Sequence, residues 1–404
     1  MKTILEINSI NYSSTGNITL NIAKTARKEG YKVYTSCKYS RVGAKFQYED
    51  QIYIGSRLER VICEELAYIT GLKDHFNIIG TYKFLKKIDE IKPDLIHLHS
   101  LTDTYINLNM LFKYIRKHKI PVVWTFHDAW AMTGQCFVFE TIGCRKWIEG
   151  CGHCPQLQEK PASLFLDNTS YLWHKKKKMF TSIPNMTIVT PSNWLKDLVK
   201  QSFFKDYPVK VINNGINLDL FKPEESDFRE KNNIQNSFII LGVAARWPMR
   251  KGLDVFIRLA KELPDKFKIV MVGTNEETDK LLPENILSIH KTFNQQQLVE
   301  IYTAADLFIT PTREDNFPTV NIEALACGTP VLTYRTGGSP EIINEKCGSV
   351  VEKNDYEAFK NEIIRIEKER PYSKQDCIDR AKEFDMNKKF SEYTELFKQI
   401  LKDS

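Results

Sequence analysis

Short apolar runs alternate along this chain with longer stretches in which apolar residues recur every three or four positions. The first pattern reads as buried strands and the second as helices packed on them by one face. In the N-terminal half the run TILEINS (3–9) is followed by a polar SSTGN turn (13–17), a helix-like ITLNIAKTARKEG (18–30) and a strand YKVYTS (31–36). Further strands are expected at DLIHLHS (94–100), PVVWTFHD (121–128) and MTIVTPS (186–192), with a helix over Tyr105 to His118. The second half repeats the alternation. Strands SFIILGVAA (237–245), FKIVMVG (267–273), ADLFITP (305–311), TPVLTY (329–334) and GSVVE (348–352) are separated by helices starting near Leu253, Gln295, Thr319 and Ser339. Such βα alternation predicts two parallel sheets, with ligands held at the carboxyl ends of the strands and a cleft between two α/β domains. The segment 201–222, ending in NNGINLDLFKP, breaks regular structure and marks the crossing. The expected domains are therefore 1–205 and 206–384, with a last helical tract, 385–404, packing back on the first.

Composition narrows the class. A chain of 404 residues exceeds one hydrophobic core, and 42% apolar with 27% charged residues is a globular composition and not a disordered one. The net charge of +6 is mild. It does not call for nucleic acid, but it suits an anionic ligand or an anionic membrane surface. The opening MKTILEINSI reads as a first strand and not as a signal peptide, and no apolar run reaches membrane-spanning length. A cytoplasmic protein is expected, with a peripheral stay at the inner face of the membrane as a variant, and disulfides are not expected for most of the nine cysteines.

Candidate chemistry gathers after the strands. In ARWPMRKG (245–252), Arg246 and Lys251 can present a guanidinium fork and an ammonium to one anion; two solvated surface cations are the bland alternative. In PTREDNFPTVNIEALACG (311–328), Asp315 lies in a loop before Pro318, and Glu323 sits on the helix that follows. The Asn316 and Phe317 N–H groups of that loop are candidates for holding a ligand, and Asp315 could instead cap the turn. Gly16 near one helix start and Gly337-Gly338 in TGGSPEII permit close backbone approach to an anion, and Glu341 meets a nucleotide or completes a capping box. His127 ends a strand, where active-site residues of such sheets stand, or belongs to the core. His97 and His99 alternate with leucines and share one strand face.

These motifs in this order, from the TG near the N-terminus through the strand ending in HD, NNGINLDLF, ARWPMRKG, the carboxylate pair and ACGTPVLTYRTGGSPEII, resemble the retaining GT-B glycosyltransferases of family GT4. The likeness is strongest to bacterial enzymes of colanic acid, capsule or exopolysaccharide assembly, for which SSTGNI, VVWTFHDAWAMTGQC and PSNWL are also familiar. The resemblance implies transfer of a sugar, with retention, from a nucleotide-diphosphate donor to a saccharide or lipid-linked acceptor, with no catalytic cofactor. It also implies roles. Arg246 and Lys251 compensate the leaving diphosphate, Glu323 holds the ribose hydroxyls, Asp315 meets hydroxyls of the transferred sugar, and His127 approaches that sugar and the leaving phosphate as a hydrogen-bond donor. Two departures stand out: Asp315 replaces a glutamate of the family's motif, with Glu314 beside it, and Asn316-Phe317-Pro318 replaces Gly-Phe-Gly.

Two stretches lie outside that pattern. QCFVFETIGCRKWIEGCGHCPQ (135–156) holds Cys136, Cys144, Cys151 and Cys154, a four-thiol set ending in CxxC that suits a structural zinc, with His153 as a substitute ligand; reduced thiols and redox chemistry are the alternatives. YLWHKKKKMF (171–180) combines aromatics with four lysines, as a contact with an anionic bilayer or only as a solvated surface. Other functions remain in view: a nucleotide-sugar epimerase or phosphorylase of GT-B shape, and a noncatalytic carbohydrate-binding protein. Glycoside hydrolysis fits less well, because it needs both carboxylates at the scissile bond. Neither half carries the complete GxGxxG fingerprint of a Rossmann oxidoreductase.

Overall fold

A computed structural model describes residues 1–45, 48, 50–159 and 161–402, with no account of the Ser14 side chain. Asp403 and Ser404, the end of the expected helical tract, lie outside the described residues. The chain divides into two compact units, Met1–Ile212 with Phe390–Ser404, and Asn213–Lys389.

The first unit is built on a seven-stranded sheet: β1 Thr3–Ile7, β2 Lys32–Lys38, β3 Gln51–Ile54, β4 Leu95–Leu98, β5 Val122–Thr125, β6 Met186–Thr190 and β7 Val209–Val211. Its order is β3-β2-β1-β4-β5-β6-β7, and each neighbouring pair is parallel. Covering both faces of a parallel sheet buries every residue of β4 and β5, which is why these strands read as unbroken apolar runs. Helix Arg57–Thr70 starts where Ser56 Oγ accepts the Glu59 N–H and ends at Gly71, whose φ of 67° suits a glycine. Phe112, Trp124, Phe180 and Phe204 pack ring on ring in the core, Phe112 to Phe180 at 4.7 Å and Trp124 to Phe180 at 4.8 Å.

The second unit has six strands: β8 Phe238–Val243, β9 Phe267–Val272, β10 Ile286–Ile289, β11 Leu307–Thr310, β12 Val331–Tyr334 and β13 Gly348–Val351. They run parallel in the order β10-β9-β8-β11-β12-β13. The two units are Rossmann-like, and together they form the GT-B architecture. The last helix, Met386–Lys402, begins in the second unit and continues from Phe390 in the first, where Tyr393 and Phe397 bury their rings 5.3 Å from His97.

Sequence periodicity misses three strands, and all three are edges. β3 and β7 bound the first sheet and β10 bounds the second, with four, three and four residues. An edge strand has a partner on one side only, so it needs neither length nor an unbroken apolar run. β7 also carries the first sheet past residue 205, to the unit boundary at Ile212. One helix begins earlier than its pattern suggests. The SSTGN segment forms the first turn of helix Ser13–Lys28, so Gly16 lies within the helix and not in a turn ahead of it.

Candidate active site

In each sheet the strand order reverses at one point, between β1 and β4 and between β8 and β11, the place where open α/β sheets hold their ligands. In the second unit the chain after β8 carries Arg246 and Lys251, and the chain after β11 carries Asp315, Asn316 and Phe317. Backbone bonds stitch the two together, with Arg313 N–H donating to Arg250 O at 2.8 Å. Arg313 also forks onto the Asp254 carboxylate at 2.8 and 2.7 Å. Gly252, with φ 84°, lets the two segments touch, since a Cβ there would stand 2.5 Å from Pro311 O.

A third loop follows β12. Gly338 N–H donates to Asn316 O at 2.8 Å. Gly337 has φ +53°, and a Cβ on it would fall 1.7 Å from Asp315 O, so the glycine pair serves packing of the Asp315 loop before any ligand arrives. Lys251 Nζ is ion-paired with Asp315 Oδ2, and Asp315 Oδ1 accepts the Asn316 N–H at 2.9 Å. The Asn316 N–H, expected to face a ligand, is therefore engaged by its neighbour's carboxylate. Phe317 is buried with its ring 5.7 Å from that of Phe384, leaving only its backbone for a ligand. Arg246 is exposed.

Glu323 lies in the second turn of helix Thr319–Ala326, which closes at Cys327 ahead of Gly328 with φ +81°. Its Oε2 accepts the Tyr302 hydroxyl at 3.1 Å. Burial pushes the carboxyl up to about 7, and the bonds from Tyr302 and Thr319 offset only part of that. Glu341 stands in the single turn Ser339–Ile342.

In the first unit a buried chain of side chains leads to His127. Glu6 Oε2 is 2.9 Å from His99 Nε2, and His99 Nδ1 is 3.1 Å from His127 Nε2. His97 Nδ1 also lies 2.9 Å from Glu6 Oε2 but is out of line for a hydrogen bond, while its Nε2 meets Thr125 Oγ1 at 2.8 Å. His97 and His99 do share one strand face, turned toward β1. Burial holds all three imidazoles down at about 3, and it raises the Glu6 carboxyl against the pull of His99. Neutral rings couple their tautomers: an ionised Glu6 accepts a hydrogen bond from His99 Nε2–H, which leaves His99 Nδ1 to accept from His127 Nε2–H. Sequence reasoning missed Glu6. Its signal was a lone carboxylate in the apolar strand TILEI, which needs a buried partner. Asp128 accepts the Trp130 N–H at 2.8 Å, and burial raises it to about 6. Gly16 packs its helix against the preceding loop, where a Cβ would stand 2.9 Å from the Asn11 carbonyl carbon.

The two outlying stretches fall elsewhere. The lysine run lies on helix Thr169–Phe180 and does not form one exposed block: Lys176 is buried, its Nζ 3.0 Å from Trp130 O and 3.5 Å from the Trp130 ring centre. Trp173 and Phe180, expected at a surface, are core residues. Exposed apolar side chains instead line helix Arg57–Thr70 (Leu58, Val61, Ile62, Ile69) and the first two turns of helix Ile78–Ile91 (Ile78, Ile79, Tyr82). No described helix is long and apolar enough to cross a membrane. Among the described residues, the metal-ligating groups whose atoms lie within 4.8 Å of one another are Glu6, His97 and His99, whose closeness is that of the hydrogen-bonded chain above. The four cysteines are free thiols, and no three of their sulfurs meet that spacing.

Residues 15–220, just over half of the chain, match the model of Glycosyltransferase Family 4, and residues 224–384 match Glycosyl transferases group 1. The chain is 27% identical over 362 residues, 85% of this chain and 91% of the relative, to the N,N'-diacetylbacillosaminyl-diphospho-undecaprenol alpha-1,3-N-acetylgalactosaminyltransferase of Campylobacter jejuni. It is 25% identical over 327 residues, 76% and 73% of the two chains, to the UDP-Gal:alpha-D-GlcNAc-diphosphoundecaprenol alpha-1,3-galactosyltransferase of Escherichia coli. Other matches are partial: 65% of a further Escherichia coli relative is spanned, and 36% of a D-inositol 3-phosphate glycosyltransferase of Mycobacterium. In fold, the chain superposes on sucrose-phosphate synthase from Thermosynechococcus elongatus with a TM-score of 0.75 at 16% identity over 100% of both chains. It superposes on Anabaena Alr3699/HepE in complex with UDP-glucose with a TM-score of 0.69 at 14% identity, over 99% and 100% of the two chains.

Proposed function

This chain belongs to glycosyltransferase family 4, and from that premise we propose that it transfers a sugar, with retention, from a nucleotide-diphosphate donor to a lipid-linked saccharide in surface-polysaccharide assembly. The observation that carries the reading is the meeting of Lys251 and Asp315 on the chain segments that follow β8 and β11, with the Gly337 loop packed against Asp315. A leaving diphosphate gathers negative charge as the glycosidic bond breaks, and an ammonium already held in place by a carboxylate meets that charge with little reorganisation. Donor binding exchanges partners: Lys251 passes from Asp315 to phosphate, and the released Asp315 is free to read sugar hydroxyls. The donor phosphate helps to take the acceptor proton, and no side-chain nucleophile is required. We assign the donor side to the second unit and the acceptor side to the first, where His127 stands.

A thermal-shift screen against UDP, GDP, ADP and their sugar conjugates tests the reading. Ligand at a hundredfold excess over Kd adds about 2.7 kcal/mol to the folded state, so one nucleotide class should raise Tm clearly. No shift with any of them, together with no transfer in any acceptor mixture, would move a sugar-binding role forward. Product analysis separates the nearer readings, because transfer consumes an acceptor, epimerisation does not, and a phosphorylase makes or uses free sugar phosphate.

Glu323 gives this site a pH signature. A carboxyl raised to about 7 makes its stabilising contribution in the protonated form, complete below the ordinary glutamate range and lost as pH rises through 7. Ribose hydroxyls donate to the ionised form, so nucleotide affinity should rise as pH passes upward through 7, with a proton released on binding. Calorimetry in buffers of different ionisation enthalpy reads that proton. A Glu323→Gln protein whose affinity keeps the same pH slope would remove Glu323 from the nucleotide site.

A lipid-linked acceptor requires work at a bilayer, and we place the peripheral contact at the inner, cytoplasmic face. The exposed row Leu58, Ile62 and Ile79, with Lys83, Lys86 and Lys87 nearby in sequence, supports it better than the lysine run does. Changing Leu58, Ile62 and Ile79 to serine should reduce sedimentation with anionic vesicles severalfold, whereas Lys177→Gln with Lys178→Gln should change it little. The opposite ranking would return the contact to residues 171–180.

A further inference from the structure

The loop between β5 and helix Thr169–Phe180 spans more than 40 residues, and among its described residues the only regular pieces are two 3-10 turns, Trp130–Met132 and Lys146–Ile148. A loop of that length inside a compact unit needs something to hold it. It carries Cys136, Cys144, Cys151 and Cys154, all free and all half-buried. Each of the four thiols lies within electrostatic reach of the other three.

Their surroundings are those of thiolates rather than of buried hydrophobes. Gly134 N–H donates to Cys151 Sγ at 3.2 Å, the Gln156 backbone N–H donates to the Cys154 sulfur, and Thr133 bonds the Cys136 side chain. Between Cys151 and Cys154 the chain turns tightly, with φ 148° at Gly152 and φ 46° at His153. Lys146 Nζ wraps the same turn, donating to Gly152 O at 3.0 Å and His153 O at 2.8 Å. Lys176 adds a second positive charge beside Cys151. Phe139 and Trp147, stacked at 4.9 Å, close the apolar side of the cluster.

We propose that Cys136, Cys144, Cys151 and Cys154 bind one structural Zn²⁺. Binding is Zn²⁺ plus four thiols giving a tetrathiolate of charge −2 and four protons, with the N–H donors, Lys146 and Lys176 compensating the charge. The sulfurs have to draw together from their present spacing to do so. His153 contributes its backbone carbonyl to the Lys146 bond and is not needed as a ligand. The consequence reaches the His127 turn, because Ala129 N–H donates to Phe137 O at 3.0 Å and Phe137 follows the first ligand.

The test begins with the full chain purified under reducing conditions without chelator. Elemental analysis should find one zinc per chain, and X-ray absorption should show a sulfur-only shell at about 2.3 Å. Thiol titration should find four fewer reactive cysteines before an organomercurial releases the metal than after. Absence of zinc, together with failure to take it up when Zn²⁺ is supplied to the reduced protein, overturns the proposal, as does a pair of disulfides among these cysteines. A nitrogen- or oxygen-rich shell points to Glu6, His97 and His99 and overturns it equally. The variant Cys151→Ser with Cys154→Ser should lose the zinc, while Cys377→Ser, a buried cysteine elsewhere, should keep it. The wild-type measurements decide the matter even if the double variant fails to fold.

Discussion

Lys251→Ala should lower kcat/KM by about 10²- to 10³-fold while leaving the protein folded. The ion pair it removes is partly solvated at both ends, Lys251 being 28% and Asp315 20% exposed, and such pairs contribute at most about 1 kcal/mol to stability. The transition state of the proposed transfer is different, because there the ammonium would face a diphosphate acquiring charge. The loss should therefore fall on kcat more than on KM for donor. Asp315→Asn should separate the two partners: it releases Lys251, so the bare nucleoside diphosphate binds at least as tightly as before, while sugar transfer falls. Steady-state kinetics with calorimetric Kd values for the nucleotide measure both. A folded Lys251→Ala protein with turnover within threefold of wild type would remove the diphosphate role from this loop.

The second large effect comes from a residue that touches no ligand. Gly337→Ala places a methyl group 1.7 Å from the Asp315 carbonyl oxygen, at a φ of +53° that costs a non-glycine residue about 1 kcal/mol by itself. The obstacle is backbone, so either the TGG loop or the Asp315 loop has to move. A loss of about 2 kcal/mol is expected, roughly 4–8 °C in the melting of the second unit. Because the displaced oxygen belongs to Asp315, transfer should fall by more than tenfold even at temperatures where the variant is fully folded. Gly338→Ala is the control, since the N–H that Gly338 gives to Asn316 survives in alanine and its φ of −86° suits any residue. If both variants melt and turn over like wild type, the close packing of these loops has no functional weight.

How much of this could be read beforehand depends on how local the determinant is. The central strands announced themselves, because burial on both faces demands unbroken apolar runs. The edge strands β3, β7 and β10 did not, because pairing on one side sets no such demand. In the second unit Arg246, Lys251, Asp315 and Glu323 could be singled out by motif, whereas the pairing of Lys251 with Asp315 arises from two loops 64 residues apart. Gly337 and Gly338 look alike in sequence, and only the structure shows that Gly337 has a positive φ and no space for a Cβ. Glu6 was overlooked for a similar reason. Its partners His97 and His99 lie more than 90 residues away, and they are brought to it by the β1–β4 register, in which Glu6 stands opposite His97. The lysine run shows the reverse error, since four adjacent cations on a helix cannot all face solvent and Lys176 was turned into the core.

The path of the last helix bears on how the protein is made. Phe390, Tyr393 and Phe397 are buried in the unit that starts at Met1, and Tyr393 accepts the Thr125 hydroxyl at 3.3 Å. A nascent first unit therefore emerges from the ribosome with the wall around His97 still missing, and it waits through synthesis of the entire second unit before the segment that seals it appears. During that interval the second unit, whose strands are contiguous in the chain, is free to fold first. A ribosome stalled before Phe390 holds a first unit that still lacks the buried side chains of Phe390, Tyr393 and Phe397.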